Sequence, residues 1–369
     1  MAIYGRQLKA SGFYSMKTKI KIIAIFTFAF FACVFFVPKG ATQTKTETAG
    51  QKFKNIKVLN DMPADQLGKV MNLMSASLNV KCNFCHVSNE ADFDKDGKEE
   101  KNTAREMIKM NLELNKNYFN GRPEISCNTC HQGHSHPQSA INLNPPAPEE
   151  RPKQPETKPT IDQILAKYET ALGGKANLEK ITSRQIKAQR IEPDGKTLED
   201  EEVLQKSDKM TVATKYGDYL VTEGFDGKSA WKRGNKDEIV LKADETEQIK
   251  RETQLFANPN LKAIYSKIDF RFVDKIDGRE VYLVLATTAD NSRERLYFDA
   301  QTGLLVRRVA STPTVIGVFQ YQVDYADYKD FGGVKLPTMI KFAVPNIRWT
   351  RKVLDVKNNV AIDDAKFVK

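Results

Sequence analysis

Cys82-Asn83-Phe84-Cys85-His86 and Cys127-Asn128-Thr129-Cys130-His131 are two complete Cys-x-x-Cys-His pentapeptides. They use every cysteine of the 369-residue chain except Cys33. Two thiols one turn apart suit addition to both vinyl groups of a haem, and the adjacent histidine then lies beneath the iron as proximal ligand. Two such pentapeptides, in a chain with only five cysteines and four histidines, predict two covalently attached haem c groups. The competing readings are disulfides within each pair, redox dithiols, or one zinc held by all four thiols. Zinc does not require a histidine after both pairs, and a thioredoxin-like dithiol belongs to an alternating strand-helix pattern that is absent here.

Charge narrows the function classes. The formal charge of +10 is carried unevenly: residues 1–43 hold six Lys/Arg and no Asp/Glu, whereas residues 44–150 hold 13 basic and 14 acidic side chains. Residues 151–369 carry 38 basic and 33 acidic groups without stripes, so no nucleic-acid surface is expected. Lys17, Lys19 and Lys21 precede the apolar run Ile22 to Val37, the arrangement of an export signal, with Met16 as its more typical start. Residues 1–43 are thus expected to be a signal peptide or an N-terminal anchor in the inner membrane, although 16 apolar residues are short for a span. The resemblance of the two pentapeptides to those of c-type cytochromes implies haem attachment outside the cytoplasm, which fits a periplasmic protein or one on the outer face of the inner membrane.

Seven of the fifteen prolines fall in residues 137–159, a stretch nearly devoid of apolar side chains that reads as a stiff extended linker. It separates a small, mostly helical dihaem domain at 51–136 from a C-terminal domain at 160–369. In the first, Pro63 opens a helix bearing Leu67, Val70, Met71, Met74 and Leu78, and a second helix spans about Asn102 to Asn117. The C-terminal domain begins with a helix over Ile161 to Leu172, halted by Gly173-Gly174. Turns at Asp194-Gly195, Gly224 to Gly227, Asp277-Gly278, Thr302-Gly303 and Gly332-Gly333 then punctuate short strands, so a curved antiparallel sheet is expected.

A proximal histidine leaves the sixth iron position open, and a methionine thioether there raises the reduction potential. Met71 and Met74 precede the first motif, and Met107 and Met110 precede the second; all four also suit an amphipathic stripe that fills core gaps. Periodicity favours Met107 over Met110. His134 and His136 read as residues of a local loop. Asp92 to Gly97 copies the start of a calcium loop, but its twelfth position is Thr103 rather than Glu, which points to a solvated turn.

The stretch Lys57 to Pro63, with Met71, Ser75 to Cys82, Ala104 to Met110 and Cys127 to Gly133, resembles the haem-binding repeat of photosynthetic reaction-centre cytochrome c subunits over residues 52–136. The resemblance implies that a helix ahead of each motif supplies the axial methionine: Met71 for the first haem and Met110 for the second, with Met74 and Met107 as alternates. Those subunits bind four haems; this chain has two motifs and a long unrelated C-terminal half. That half, with Ala171 to Gly174, Gly224 to Trp231, Tyr297 to Leu305 and Gly333 to Pro337, is diffusely similar to lipoprotein-carrier-like (LolA/LolB-like) domains, whose sheet can hold an apolar ligand. It has no Cys and no His.

The expected function is an exported electron carrier, not an enzyme, passing single electrons between redox proteins or to a membrane complex. Cys82, Cys85 and His86 serve one haem, and Cys127, Cys130 and His131 the other. Two alternatives remain open: a peroxidase-type enzyme with one open iron, and a lipid- or lipoprotein-binding β-domain with the haems as tether.

Overall fold

The computed structural model describes residues 47–87, 92–141, 143–144, 152–235, 238–239, 241, 243–257 and 260–369. The expected leader with Cys33, and Pro145, Pro146 and Pro148 of the Pro-rich stretch, lie outside these residues. No helix among the described residues is long and apolar enough to cross a membrane.

The N-terminal part is partly helical. A short α1 (Ala49–Lys52) is held by a reciprocal Thr48–Gln51 capping box. Pro63 then leads through a 3-10 turn at Ala64–Gln66 into α2 (Leu67–Leu78), as its first-turn position and the apolar spacing predict. α2 ends at Asn79 in the left-handed region, φ 54°, with the Val80 N–H donating to the Ser75 carbonyl at 3.0 Å. α3 (Glu99–Tyr118) starts with Glu99 and Glu100 and ends near Lys116, charges that suit its dipole. The second motif itself forms α4 (Cys127–His131), which packs on α2. Ala49, Met62, Val70 and Ile108 form the core of this part, joined by a fifth residue from far along the chain, Ile316.

α5 (Ile161–Ala171) is capped by Thr160 and Gln163 and stops just before Gly173-Gly174; α6 (Lys175–Leu178) follows. Six strands come next: β1 (Ser183–Ile191), β2 (Thr197–Lys206), β3 (Lys209–Tyr216), β4 (Tyr219–Phe225), β5 (Ala230–Arg233) and β6 (Glu238–Ile239). Two helices, α7 (Ala243–Ala257) and α8 (Leu261–Ile264), interrupt them. The chain resumes with β7 (Lys267–Ile276), β8 (Arg279–Thr287), β9 (Arg293–Asp299) and β10 (Leu305–Thr314). It continues through β11 (Gly317–Asp330), β12 (Lys335–Val344) and β13 (Ile347–Asn358).

All thirteen strands form one antiparallel sheet of order β6-β5-β4-β3-β2-β1-β13-β12-β11-β10-β9-β8-β7. Two meanders are therefore joined where the first strand meets the last, in a register that pairs Ile186 with Val356. The β7–β8 hairpin turns on Asp277 (φ 50°) and Gly278 (φ 77°), two successive positive φ values that the strand twist requires of a two-residue turn. At the β7 edge the Gln154 side chain, from the Pro-rich stretch, bonds both the N–H and the carbonyl of Val273 at 2.8 and 2.9 Å.

The main core lies between α5, α8 and strands β8 to β10, with Tyr168, Leu261, Val284, Leu296 and Phe298 at its centre. α7 packs on β2, β4 and β5, yet its Glu252 accepts a hydrogen bond from Tyr321 of β11 and pairs with Arg308 of β10. In a flat sheet β4 and β10 would stand roughly 34 Å apart, while α7 is only roughly 22 Å long. The sheet is curved around the helix.

Candidate functional site

The first motif is placed by the end of α2. Asn79 turns the chain back so that Cys82–Phe84 form a 3-10 turn and the His86 N–H donates to the Cys82 carbonyl at 3.0 Å. Met71 and Met74 of α2, Cys82, Cys85 and His86 all line one cavity of about 580 Å³. Leu59, Leu67, Leu78, Phe93 and Ile108 supply apolar wall. That volume lies within the about 300–1,000 Å³ usual for cofactor sites.

Each ring nitrogen of His86 has a separate task. Nδ1 lies 3.0 Å from the Phe93 carbonyl, and because a carbonyl only accepts, Nδ1 carries the proton and Nε2 keeps its lone pair for a metal. Burial lowers the His86 pKa; the carbonyl bond opposes this, and the nearby charges of Lys101 and Arg105 add to it. The ring is thereby kept neutral, the form that ligates. Burial also pushes the Cys85 thiol upward, unlike the depressed thiols of redox dithiols.

Asp96 ties the rim together. Its carboxylate accepts from Arg105 at 2.8 Å, Lys57 at 2.5 Å and Asn55 at 2.8 Å, and these partners, Arg105 first, hold it well below the usual carboxylate range. The acidic turn that resembles a calcium loop therefore spends its third carboxylate on cations of α3 and of the loop after α1. Five lysines (52, 54, 57, 81 and 101) and Arg105 line the cavity, against the single carboxylate of Asp94.

The second motif is held differently. Asn115 forms a paired bond with the backbone of Ile125, donating to its carbonyl at 2.7 Å and accepting from its N–H at 2.9 Å, and Asn111 donates to the same carbonyl. The Gly133 N–H donates to the Ser77 carbonyl at 2.8 Å, locking the end of the motif to α2. His131 Nδ1 donates to the His134 carbonyl at 2.9 Å, which again leaves Nε2 with its lone pair. Burial raises the Cys127 thiol pKa, while Cys130 is exposed. Met107 and Met110 stand three residues apart on α3, 41% and 45% exposed. Cys130, Met107 and Met110 are thus exposed, whereas the first motif lines a cavity. His134 and His136 are both exposed, and His134 contributes its backbone carbonyl.

Cys82, Cys85, Cys127 and Cys130 are all free thiols. Among the described residues no three Cys, His, Asp or Glu side chains converge as a metal site, so the four thiols do not make a shared zinc centre. The first donor set brings two thiols, a histidine with Nε2 available and two thioethers onto one cavity, which fits a haem c; the second brings two thiols and a histidine with Nε2 available into α4. The Phe93 and His134 carbonyls, Asp96, and the Asn111/Asn115 pair were not legible in the sequence. The i, i+4 asparagines on an otherwise apolar face are the one signal that was available.

Residues 25–170 match the family model of the photosynthetic reaction centre cytochrome C subunit. A photosynthetic reaction center cytochrome c subunit from Roseobacter denitrificans is 28% identical over 119 residues, 30% of this chain. The chain spans 31% of that relative's length. The C-terminal part is similar to a solved LolA superfamily protein from Nitrosomonas europaea, at 15% identity and TM-score 0.41, over 57% of this chain and 99% of that one. A solved DUF1329 family protein from Desulfovibrio piger shares 12% identity at TM-score 0.40, over 56% and 97% of the two chains.

Proposed function

We propose that this protein is an exported dihaem c-type cytochrome that transfers single electrons between redox proteins or to a membrane electron-transfer complex. The observation that carries the reading is the 580 Å³ cavity on which two thiols, a neutral histidine and two thioethers meet. Haem supplies one-electron cycling between ferric and ferrous iron. Cys82 and Cys85 hold the first group through their sulfurs, and His86, oriented by Phe93, offers Nε2 to the iron. Met71 is the proposed opposite ligand, with Met74 as alternate. The apolar wall excludes water, and Lys54 and Lys81 face the cavity without an ion pair among the described residues, available to propionate carboxylates. Cys127, Cys130 and His131 hold the second group, with Met110, or Met107, from α3.

Residues 51–136 are the proposed haem domain and 137–159 the linker to the sheet domain at 160–369. The leader places the protein in the periplasm or on the outer face of the inner membrane.

The test is a pyridine haemochrome assay with haem staining after denaturing electrophoresis, on protein matured in a host that attaches haem c. Two covalent haems per chain are expected, and one after Cys82→Ala/Cys85→Ala; none would overturn the reading. Met71→Ala should then remove one haem's near-infrared sulfur-to-iron band while Met74→Ala keeps it. Stoichiometric carbon monoxide binding by the protein as isolated would favour the enzyme with an open iron.

A further inference from the structure

Two hairpin tips of the sheet reach the segment that carries the Cys-x-x-Cys-His motifs. At the β10–β11 tip, Ile316 is 1% exposed and packs among Ala49, Met62, Val70 and Ile108, with Met71, Met74 and Cys127 at the margin of the same cluster. Beside it, Gly317 takes φ 152°, and a Cβ there would stand 3.0 Å from the Ser126 side chain. Ser126 is the residue that opens α4. At the β12–β13 tip, the Asn346 amide donates to Asn72 Oδ1 at 2.9 Å, one residue beyond Met71.

Hairpin tips normally carry Gly, Asn, Asp or Ser, because they face water and need unusual φ values. Ile316 breaks that rule, and its burial explains the breach: its apolar partners lie on α1, α2 and α3 and in the loop at Met62 rather than on the sheet. The tip therefore wedges in where the helix bearing Met71, the helix bearing Met107 and Met110, and the start of the second motif meet. A thioether is a neutral, weakly held ligand, so its residence on iron depends on how firmly its helix is seated.

We propose that the β10–β11 tip, through Ile316, is a positioning element that seats α2 against α3 and so keeps the methionine of α2 on the iron of the first haem. The inference rests on the dihaem reading and assigns the C-terminal sheet a part in it. The thioether attachments at Cys82 and Cys85 do not depend on the tip; the axial bond does. Gly317 against Ser126 extends the same contact to the second motif.

The experiment uses the full chain with its haems attached. Ile316→Asp puts a carboxylate into an apolar core and expels the tip, while Ile316→Leu conserves volume and hydrophobicity. Both variants are expected to retain the wild-type number of covalent haems. Ile316→Asp should lose about half of the near-infrared sulfur-to-iron intensity, the share of one haem in two, and bind carbon monoxide at one haem per chain. Ile316→Leu should match the wild type in both. Full band intensity in Ile316→Asp, without carbon monoxide binding, would overturn the proposal. If Ile316→Asp does not accumulate, Ile316→Ala is heated: loss of the band at lower temperature than loss of far-ultraviolet dichroism supports a positioning role, and coincident transitions overturn it. A wild-type protein without covalent haem would instead overturn the dihaem reading beneath it, a result distinct from either variant outcome.

Discussion

At the scale of single residues, the two motifs share a device that their sequences conceal. His86 and His131 both donate Nδ1–H to a backbone carbonyl, but the acceptors lie seven and three residues downstream, at Phe93 and His134. The Cys and His positions proposed for haem could be named from the sequence because they lie on five consecutive residues; the orienting carbonyls depend on where the loops return. Asp96 is the second such residue. Its carboxylate is ionised more readily folded than unfolded, so its contribution to stability is present above about pH 4, the unfolded carboxylate range, and is lost as pH falls toward the folded pKa. Asp96→Asn should therefore lower stability at neutral pH, and the gap from wild type should close as pH drops below about 4. Denaturation curves across that range check it, and a gap that widens toward low pH would rule it out.

Among the elements, α2, α3 and α5 follow from apolar spacing and their start and stop residues, and each stands within a few residues of its expected bounds. α7 was not legible. Its sequence, Ala-Asp-Glu-Thr-Glu-Gln-Ile-Lys-Arg-Glu-Thr-Gln-Leu-Phe-Ala, reads as a solvated segment, because charged side chains that pair inside a fold look the same in sequence as those that face water. Asn111 and Asn115 are both buried in α3, where they bond the backbone of Ile125. Asn115→Ala leaves the N–H of Ile125 without its acceptor and should cost about 1–3 kcal/mol. Chemical denaturation of the haem-loaded protein measures this, and a loss within the error of the fit would show that water takes over both bonds.

For the molecule as a whole, the curved sheet is closed over α7 by charge. Arg308, 1% exposed, reaches Glu294 at 3.3 Å and Glu252 at 3.7 Å, and Glu294 also receives Arg251 at 3.5 Å and the Tyr265 hydroxyl. Among the described residues, Arg308 Nε and Nη2 have no hydrogen-bond partner. Glu294→Ala would take the carboxylate from Arg251 and leave Arg308 with Glu252 alone in a water-poor interior, and should destabilise the protein by about 3–5 kcal/mol. Thermal and denaturant unfolding of the sheet test this; a change below 1 kcal/mol would mean that the cluster is hydrated.

The amino-acid sequence by itself determined the two Cys-x-x-Cys-His pentapeptides on which the haem proposal rests, the helices that precede each motif, and an antiparallel sheet punctuated by Gly-containing turns, since all of these rest on residues close together in the chain. Only the tertiary structure decided that the first motif lines a cavity while Cys130 of the second is exposed. It also decided that Ile316 reaches α2 from nearly 250 residues away, and that a highly charged helix belongs under the sheet. Those outcomes depend on long-range packing and on which buried charges meet, and neither leaves a periodic mark on the sequence.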